Sequence, residues 1–422
     1  MLIRDAEVEG RGRVDVRLRN GRIAEIGVRL PGPADLDGRG GALLPGLHDH
    51  HIHLTALAAQ AASVRVGPQD VDGPNGLAAA LQAGRPGEWV RATGYHESVA
   101  GELDRRVLDR LAPDRPVRVQ HRTGELWIWN SAALKAAGLD ADGDGRFWRA
   151  DERLRALAPP VRLDLAEVGR AAAARGVTGF TNADPRPAPG LPTLLSALPQ
   201  RVLVMGAEGG TGPVKLVLDD TTLPAPGEFA ASISALRPRP VAVHCVTRVQ
   251  LFVALLALEE TGPIPGDRIE HGSVIPEEAL AWLRRLGVTV VTQPHFPLER
   301  AEAYATDVDP DDRPHLYRCR TLAGAGIPLA AGTDAPYGTA DPWAVMRAAV
   351  ARDAPERLTP EAALRLFTGE PLHPARPRRV APGSRADLCL LHVPLAEALD
   401  ALSADVVRAG FADGILITEG CG

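Results

Sequence analysis

Apolar and polar positions alternate along residues 2 to 30. LIRDAEVEG, RVDVRLRN and GRIAEIGV each read as a short half-buried strand, with Asn20-Gly21 as a hairpin turn. The same alternation returns near the other end, in SRADLCLLHV (384–393) and in VVRAGFADGILI (406–417), which reads as two strands about a turn. The middle of the chain follows another pattern. Strand candidates, most of them rich in apolar residues, occur at 46–54, 176–182, 201–206, 213–219, 240–246, 267–273, 287–293 and 327–335. Helical-period segments such as 164–176, 249–262 and 276–287 lie between them. Apolar strands alternating with helices predict a parallel sheet covered by helices. Eight such strands predict an α/β fold, a (β/α)8 TIM-like barrel, spanning 46–374. The two β-rich ends, 1–45 and 375–422, predict a small β-sandwich domain built from both termini.

Two irregularities interrupt the pattern. About 120 residues separate the first and second barrel strands, and they carry further strand signals in WVRATG (89–94) and PVRVQH (116–121). WIWNSAALKAAGL (127–139) then runs into a helix, so the region at about 60–160 reads as an insertion over the barrel mouth. In addition, only GAEGGTG (206–212) joins the third and fourth runs, too short for a helical crossover. Either one helix is absent there or one of the two runs is not a strand.

Composition narrows the function classes. The 422 residues carry a net charge of −6 without a basic stripe, which argues against a nucleic-acid partner. No run of 18 apolar residues exists, so no membrane helix is expected, and the charged start MLIRDAEVEGRGR lacks a signal-peptide core. A cytoplasmic protein with a small-molecule substrate is expected. Homodimer formation is a further expectation for a barrel with a side domain. Cys245, Cys319, Cys389 and Cys421 are far apart and form no CxxC pair, so they read as buried free thiols.

The polar residues at the ends of the apolar strands carry the chemistry. Active sites of such barrels sit at the C-terminal strand ends. The first strand, GLHDHHIHL, contains four of the chain's 12 histidines. Side chains at i and i+2 share a face, so Asp49, His51 and His53 lie together, and His48 and His50 point the other way. His51 and His53 end the strand and can converge on one ion. Asp49, one step deeper, reads as a support, and His48 and His50 as packing behind the site. The fifth strand ends in His244, the sixth in His271 and the eighth in Asp334. Four imidazoles and one carboxylate suit zinc, iron or manganese. Lys215 stands in the apolar run VKLVL, in a chain whose 47 basic residues include only one other lysine, Lys135. Burial favours a neutral amine, which can react with CO2 to a carbamate, as arginine cannot. The alternative is a buried lysine paired with Asp219 or Asp220.

These residues resemble the amidohydrolase superfamily. LLPGLHDHHIHL is similar to its PG-x-x-D-x-H-x-H motif, with Pro45, Gly46, Asp49, His51 and His53 in register. Lys215, His244, RIEHGS with His271 and GTDAP with Asp334 resemble its later ligands in the family's order. EWVRATGYHE, HRTGELWIWNSAALKAAGL and VVTQPHF resemble the branch that includes N-substituted formamide deformylases. That branch has Asp-Gly where this chain has Asp219-Asp220, and Gly-Asp after the fifth-strand histidine where this chain has HCVTRVQ. The resemblance implies two divalent ions, most simply Zn2+. One would be held by His51, His53 and Asp334, the other by His244 and His271, with N-carboxylated Lys215 bridging. It implies hydrolysis of a non-peptide C–N bond of an amide, formamide or cyclic amide by a metal-activated hydroxide, with Asp334 as general base and then acid. Tyr95, His96, His121, Trp129 and Asn130 in the insertion, and Arg248 and His295 at the mouth, are candidate substrate contacts. Two alternatives stay open: a mononuclear aminoheterocycle deaminase using the same His/His/His/Asp set, and a non-catalytic metal-binding or regulatory protein.

Overall fold

Eight parallel strands carry, or lead directly into, the strand-end polar positions singled out above. In the computed structural model, which describes residues 1–83, 85, 87–139 and 143–420, they are β1 (Leu47–Ile52), β2 (Val177–Asn182), β3 (Arg201–Val204), β4 (Val214–Val217), β5 (Val241–Cys245), β6 (Arg268–His271), β7 (Thr289–Thr292) and β8 (Leu329–Ala331). β3, β2 and β1 form one parallel sheet, and β4 to β8 pair in sequence order in another. Backbone hydrogen bonds continue past the strand ends. Asp334 N donates to His51 O (2.8 Å) and His53 N to Ala335 O (2.9 Å), joining the ends of β1 and β8. Gly206 N donates to Pro213 O (2.9 Å) between β3 and β4.

The connection between β3 and β4 settles the irregularity in the sequence. Both runs are strands, and residues 205–213 contain no helix. β3 is half-buried at three of its four residues, whereas β5 and β6 are almost fully buried. The covering helices form where propensity and capping agree. Thr247 accepts from Gln250 N (3.3 Å) and starts the helix Arg248–Thr261. The helix Glu277–Leu286 has Glu277 and Glu278 in its first turn and Arg284 and Arg285 in its last, matching the helix dipole. It stops at Gly287, whose φ of +66° needs no Cβ. Its buried Ala279, Leu280 and Leu283 join a core with Val241, Val243, Ile269 and Val290.

The terminal strands form two four-stranded sheets. One orders Arg22–Gly27, Gly12–Arg19, Leu2–Val8 and Leu36–Asp37; the other Ile415–Glu419, Val407–Ala412, Leu388–Leu391 and Leu43–Pro45. Ile3, Val14, Val16, Leu18 and Ile23 from the first meet Leu388, Leu390, Ala409 and Phe411 from the second in a shared core. Asn20 (φ +51°) and Gly21 (φ +70°) make the predicted hairpin turn.

The chain divides into two compact units, Met1–His53 with Leu165–Gly422, and Leu54–Asp164. The second unit has its own five-stranded sheet, in the order Arg146–Trp148, Leu126–Trp129, Val117–His121, Val90–Tyr95 and Val64–Arg65. Leu77, Leu81, Val90, Val117 and Val119 are buried in its core. Cys245, Cys319 and Cys389 are free and buried, while Cys421 lies outside the described residues. Among the described residues no helix is long and apolar enough to cross a membrane.

One close approach ties β1 to β8. A Cβ on Gly332 would lie 2.4 Å from His51 N and 2.5 Å from His51 Cβ. Gly332→Ala must therefore push the end of β8 away from His51. The expected loss is about 1–3 kcal/mol or more in urea unfolding, with weakened metal retention; unchanged stability and metal content would show that the two strands separate freely.

Candidate metal centre

β1 is buried along its whole length, and its alternation sorts the histidine cluster. On one face, Asp49 accepts from Thr333 N (3.0 Å), from Thr333 Oγ1 and from His51 N (3.2 Å), so it staples β1 to the segment after β8. Burial pushes its carboxyl up to about 7 against those hydrogen bonds. On the other face, His48 Nε2 contacts Thr181 Oγ1 (2.9 Å) on β2, and the His50 ring packs on His48 with centroids 4.6 Å apart.

His51 and His53 are each oriented by a carboxylate. His51 Nδ1 is hydrogen-bonded to Glu270 Oε2, and Glu270 is itself paired with the buried Arg268 (2.5 Å). His53 Nδ1 is 2.8 Å from Asp184 Oδ1, and Asn182 donates to the other Asp184 oxygen (3.0 Å). A carboxylate acceptor requires the proton on Nδ1, which leaves the Nε2 lone pair bare. Both Nε2 atoms face Asp334 Oδ1, at 3.5 Å from His51 and 3.3 Å from His53. That oxygen is buried and makes no well-aligned hydrogen bond. Lys215 Nζ lies 3.2 Å from His51 Nε2, and the His271 ring is 4.7 Å from the His51 ring between centroids. His271 Nδ1 is held by Gln293 Oε1 (2.9 Å) and lies 3.9 Å from Asp334 Oδ2, and the His244 ring packs 4.5 Å from His271. The structure thus brings together His51, His53, Lys215, His244, His271 and Asp334. Asp219 instead accepts from Thr221, and Asp220 from Thr247 and Gln250.

Strand alternation alone would not deliver two of these groups. Glu270 and His271 are consecutive, so a regular strand would point them to opposite faces. Both reach the centre because His271 adopts φ +66° at the strand end; Asp334 likewise adopts φ +52°. Such conformations in non-glycine residues persist only where the surroundings enforce them, and they cluster at functional sites.

Electrostatics prepares the imidazoles as ligands. Burial, helped by the nearby Lys215, pushes His51 down to about 4 against the opposing pull of Glu270. Burial and His51 push His271 to about 3, and burial holds His244 well below the ordinary range. Burial also lowers the Lys215 ammonium, in the direction that favours a neutral amine. Asp334 is held well below the usual carboxylate range: burial acts to raise it, but the adjacent His53 and the surrounding imidazoles outweigh that. His53 is the exception. Burial would lower it, but Asp184 and Asp334 outweigh burial and raise it to about 9. The ligand atoms of His51, His53 and Asp334 lie within 4.8 Å of one another, and among the described residues they are the one such cluster of three. An Nε2 lone pair facing a buried carboxylate oxygen repels it unless a proton, as on His53, or a metal cation lies between them, so the residues fit a divalent metal ion.

The amidohydrolase family model matches residues 35–214 and 220–414, across both the ligand strands and the terminal sheets. This chain belongs to the amidohydrolase family. YtcJ of Bacillus subtilis (strain 168), a provisionally named amidohydrolase, is 24% identical over 414 residues, covering 76% of this chain and 75% of YtcJ. An uncharacterized metal-dependent hydrolase from Pyrococcus furiosus shares the fold with a TM-score of 0.71 at 23% identity, over 92% of this chain and 96% of its own. Another from Pyrococcus horikoshii OT3 does so with a TM-score of 0.73 at 19% identity, over 99% and 98%. Family membership supports a hydrolase, and the two solved structures support the fold.

Within this amidohydrolase the expected substrate contacts separate. Tyr95 is buried and donates to Gly101 O (2.5 Å). Trp129 is buried between Trp89 and Phe147. Asn130 accepts from Val117 N and Ala133 N and donates to Ala112 O and Arg115 O. Packing occupies Trp129, and internal hydrogen bonds engage Tyr95 and Asn130. His96 and His121 turn Nε2 toward Glu97 Oε2, at 3.7 and 3.2 Å. Arg248, expected to grip a substrate carboxylate, is engaged with Asp312 (Nε to Oδ1, 2.9 Å). His295 is buried, pushed down to about 3 by burial, and packs on Phe296. The residues missed from sequence are Asp184, Arg268, Glu270 and Gln293. Their one visible signal was two opposite charges, Arg268 and Glu270, two residues apart within the strand candidate DRIEHGS.

The His53 pKa yields a signed prediction. In the metal-free protein His53 keeps a proton up to about pH 9, and an ion at Nε2 must displace it. Zn2+ affinity, measured by competition against a chelator corrected for its own protonation, should rise roughly tenfold per pH unit from pH 7 and level off above that pKa. A flat profile across this range would show that His53 holds no proton that the ion displaces.

Proposed function

We propose that this chain is a metal-dependent hydrolase that cleaves a non-peptide C–N bond in an amide, formamide or cyclic amide. The observation that carries this reading is the opposition of two tautomer-fixed imidazoles, His51 and His53, to the buried Asp334 carboxylate. His51, His53 and Asp334 would hold one ion, His244 and His271 a second, and Lys215, as its carbamate, both. A bound divalent ion supplies Lewis-acid polarisation of a carbonyl and a lowered pKa for water. The remaining chemistry belongs to the chain. Asp334 is ionised at neutral pH, so it can take a proton at one oxygen and hand it to the leaving nitrogen. Glu270 and Asp184 keep the imidazoles in the ligating tautomer throughout. Lys215 would first lose a proton from its ammonium, then add CO2 through the neutral amine and release a second proton, so that a buried cation becomes an anion.

The same reading takes the eight strands as one (β/α)8 barrel, supported by the hydrogen bonds that join β1 to β8 and β3 to β4. An N-substituted formamide is the substrate class favoured by the resemblance of the EWVRATGYHE and VVTQPHF segments. A mononuclear aminoheterocycle deaminase is the second reading, favoured by the one three-residue cluster among the described residues.

Metal analysis combined with a screen of amides, formamides, lactones and aminoheterocycles separates these readings. Two ions per chain with C–N hydrolysis is the expected result; one ion with ammonia release from a heterocycle supports the deaminase. Asp334→Asn should keep the circular dichroism spectrum and lower turnover about 10²–10⁴-fold. Lys215→Arg should keep the positive charge but lose one ion and the activity. Wild-type turnover in Lys215→Arg rules out the carbamate.

A further inference from the structure

The turn that follows Asp334 carries a side chain to the edge of the centre. Tyr337 N donates to Asp334 O (2.8 Å), closing the turn Asp334–Tyr337. Arg300 Nη2 donates to Tyr337 O (2.8 Å) while its guanidinium lies 3.7 Å over the Phe296 ring. The next residue, Gly338, is pressed against its surroundings: a Cβ there would fall 2.4 Å from His295 Nε2, 2.7 Å from Phe296 and 2.8 Å from Thr333 O. The turn is therefore held from several sides through its backbone, and the direction of the Tyr337 side chain follows from it. That ring meets His53 edge to face, with centroids 5.5 Å apart and planes at 82°. His53 cannot turn away, because Asp184 holds its other nitrogen at 2.8 Å. Tyr337 nevertheless remains 36% exposed. Among the described residues it shares that state with one other aromatic, Trp148.

A preorganised aromatic ring beside a ligand imidazole, still open to solvent, is a recognition surface. A planar apolar group packed against its exposed part would add contact while the ring stays against His53.

We infer that Tyr337 is a specificity-determining wall of the substrate pocket, and that it selects substrates carrying an aromatic or planar cyclic group next to the scissile C–N bond. This rests on the metal-dependent hydrolase reading above and narrows its substrate class. The ring acts through packing, so phenylalanine should replace it and alanine should not.

The test uses metal-chelating amide analogues on the zinc-loaded full-length chain, read by calorimetric binding rather than turnover. Benzohydroxamate against acetohydroxamate probes a group on the acyl side. N-hydroxy-N-phenylformamide against N-hydroxy-N-methylformamide probes a group on the nitrogen side. In the wild type at least one aromatic probe should bind about five- to tenfold more tightly than its methyl counterpart. Tyr337→Ala should bring that ratio close to one with unchanged zinc content, and Tyr337→Phe should retain it. An aromatic preference that survives in Tyr337→Ala, or that is absent from a wild type binding both probes well, overturns the assignment of Tyr337 and leaves the hydrolase reading standing. A wild type that retains no zinc and binds neither probe overturns both.

Discussion

The repulsion between two imidazole lone pairs and a buried carboxylate is the interaction on which the rest of this structure depends. Glu270 and Asp184 each draw a proton to Nδ1 of one histidine, and the bare Nε2 atoms are left facing Asp334 Oδ1. The arrangement has two stable resolutions. A proton can settle on His53, whose raised pKa records that demand, or a divalent cation can sit among the three groups. The site is therefore stable only when something positive occupies it, which is the physical content of a metal centre.

Holding such a centre requires buried charge, and the fold surrounds each charge with a partner. Glu270 is compensated by Arg268, Asp184 by Asn182 and His53, and Asp49 by Thr333 and the His51 amide. Removing one member of such a set would leave another buried and uncompensated, the expensive case. Positive φ at His271 and Asp334 is part of the same economy of space. Regular strands place only every second residue on the inner face, and six converging side chains need more freedom than that alternation provides. The backbone is bent where ligands would otherwise point away, and the neighbouring strands enforce the bend.

The strands, their order and the set of side chains that converge at their ends were legible because they leave local marks. An apolar run reads as a buried strand, a histidine at its end stands out, and alternation by two separated His51 from His48 and His50 within one short segment. Lys215 stood out because the chain otherwise prefers arginine. The insertion was less legible. Tyr95, Trp129 and Asn130 are chemically suited both to ligands and to packing, and nothing local distinguishes the two uses. Asn130 caps a helix and bridges a strand to two loop carbonyls, partners 13 to 18 residues away in the chain. Arg248 looked like a carboxylate grip and is one, but toward Asp312 of the same chain.

The sequence by itself determined the element types and order, the face on which each β1 histidine lies, and the identity of the six ligand candidates. Each depends on residue type and short-range periodicity alone. Tertiary structure decided which nitrogen of each imidazole is free, since that is set by Glu270, lying 219 residues from His51, and Asp184, lying 131 from His53. It also decided that β3 passes to β4 without a helix, and that Tyr337 stands against His53. Hydrogen-bond partners and ring contacts across such separations leave no periodic trace in the chain, because they arise only when the strands are brought side by side.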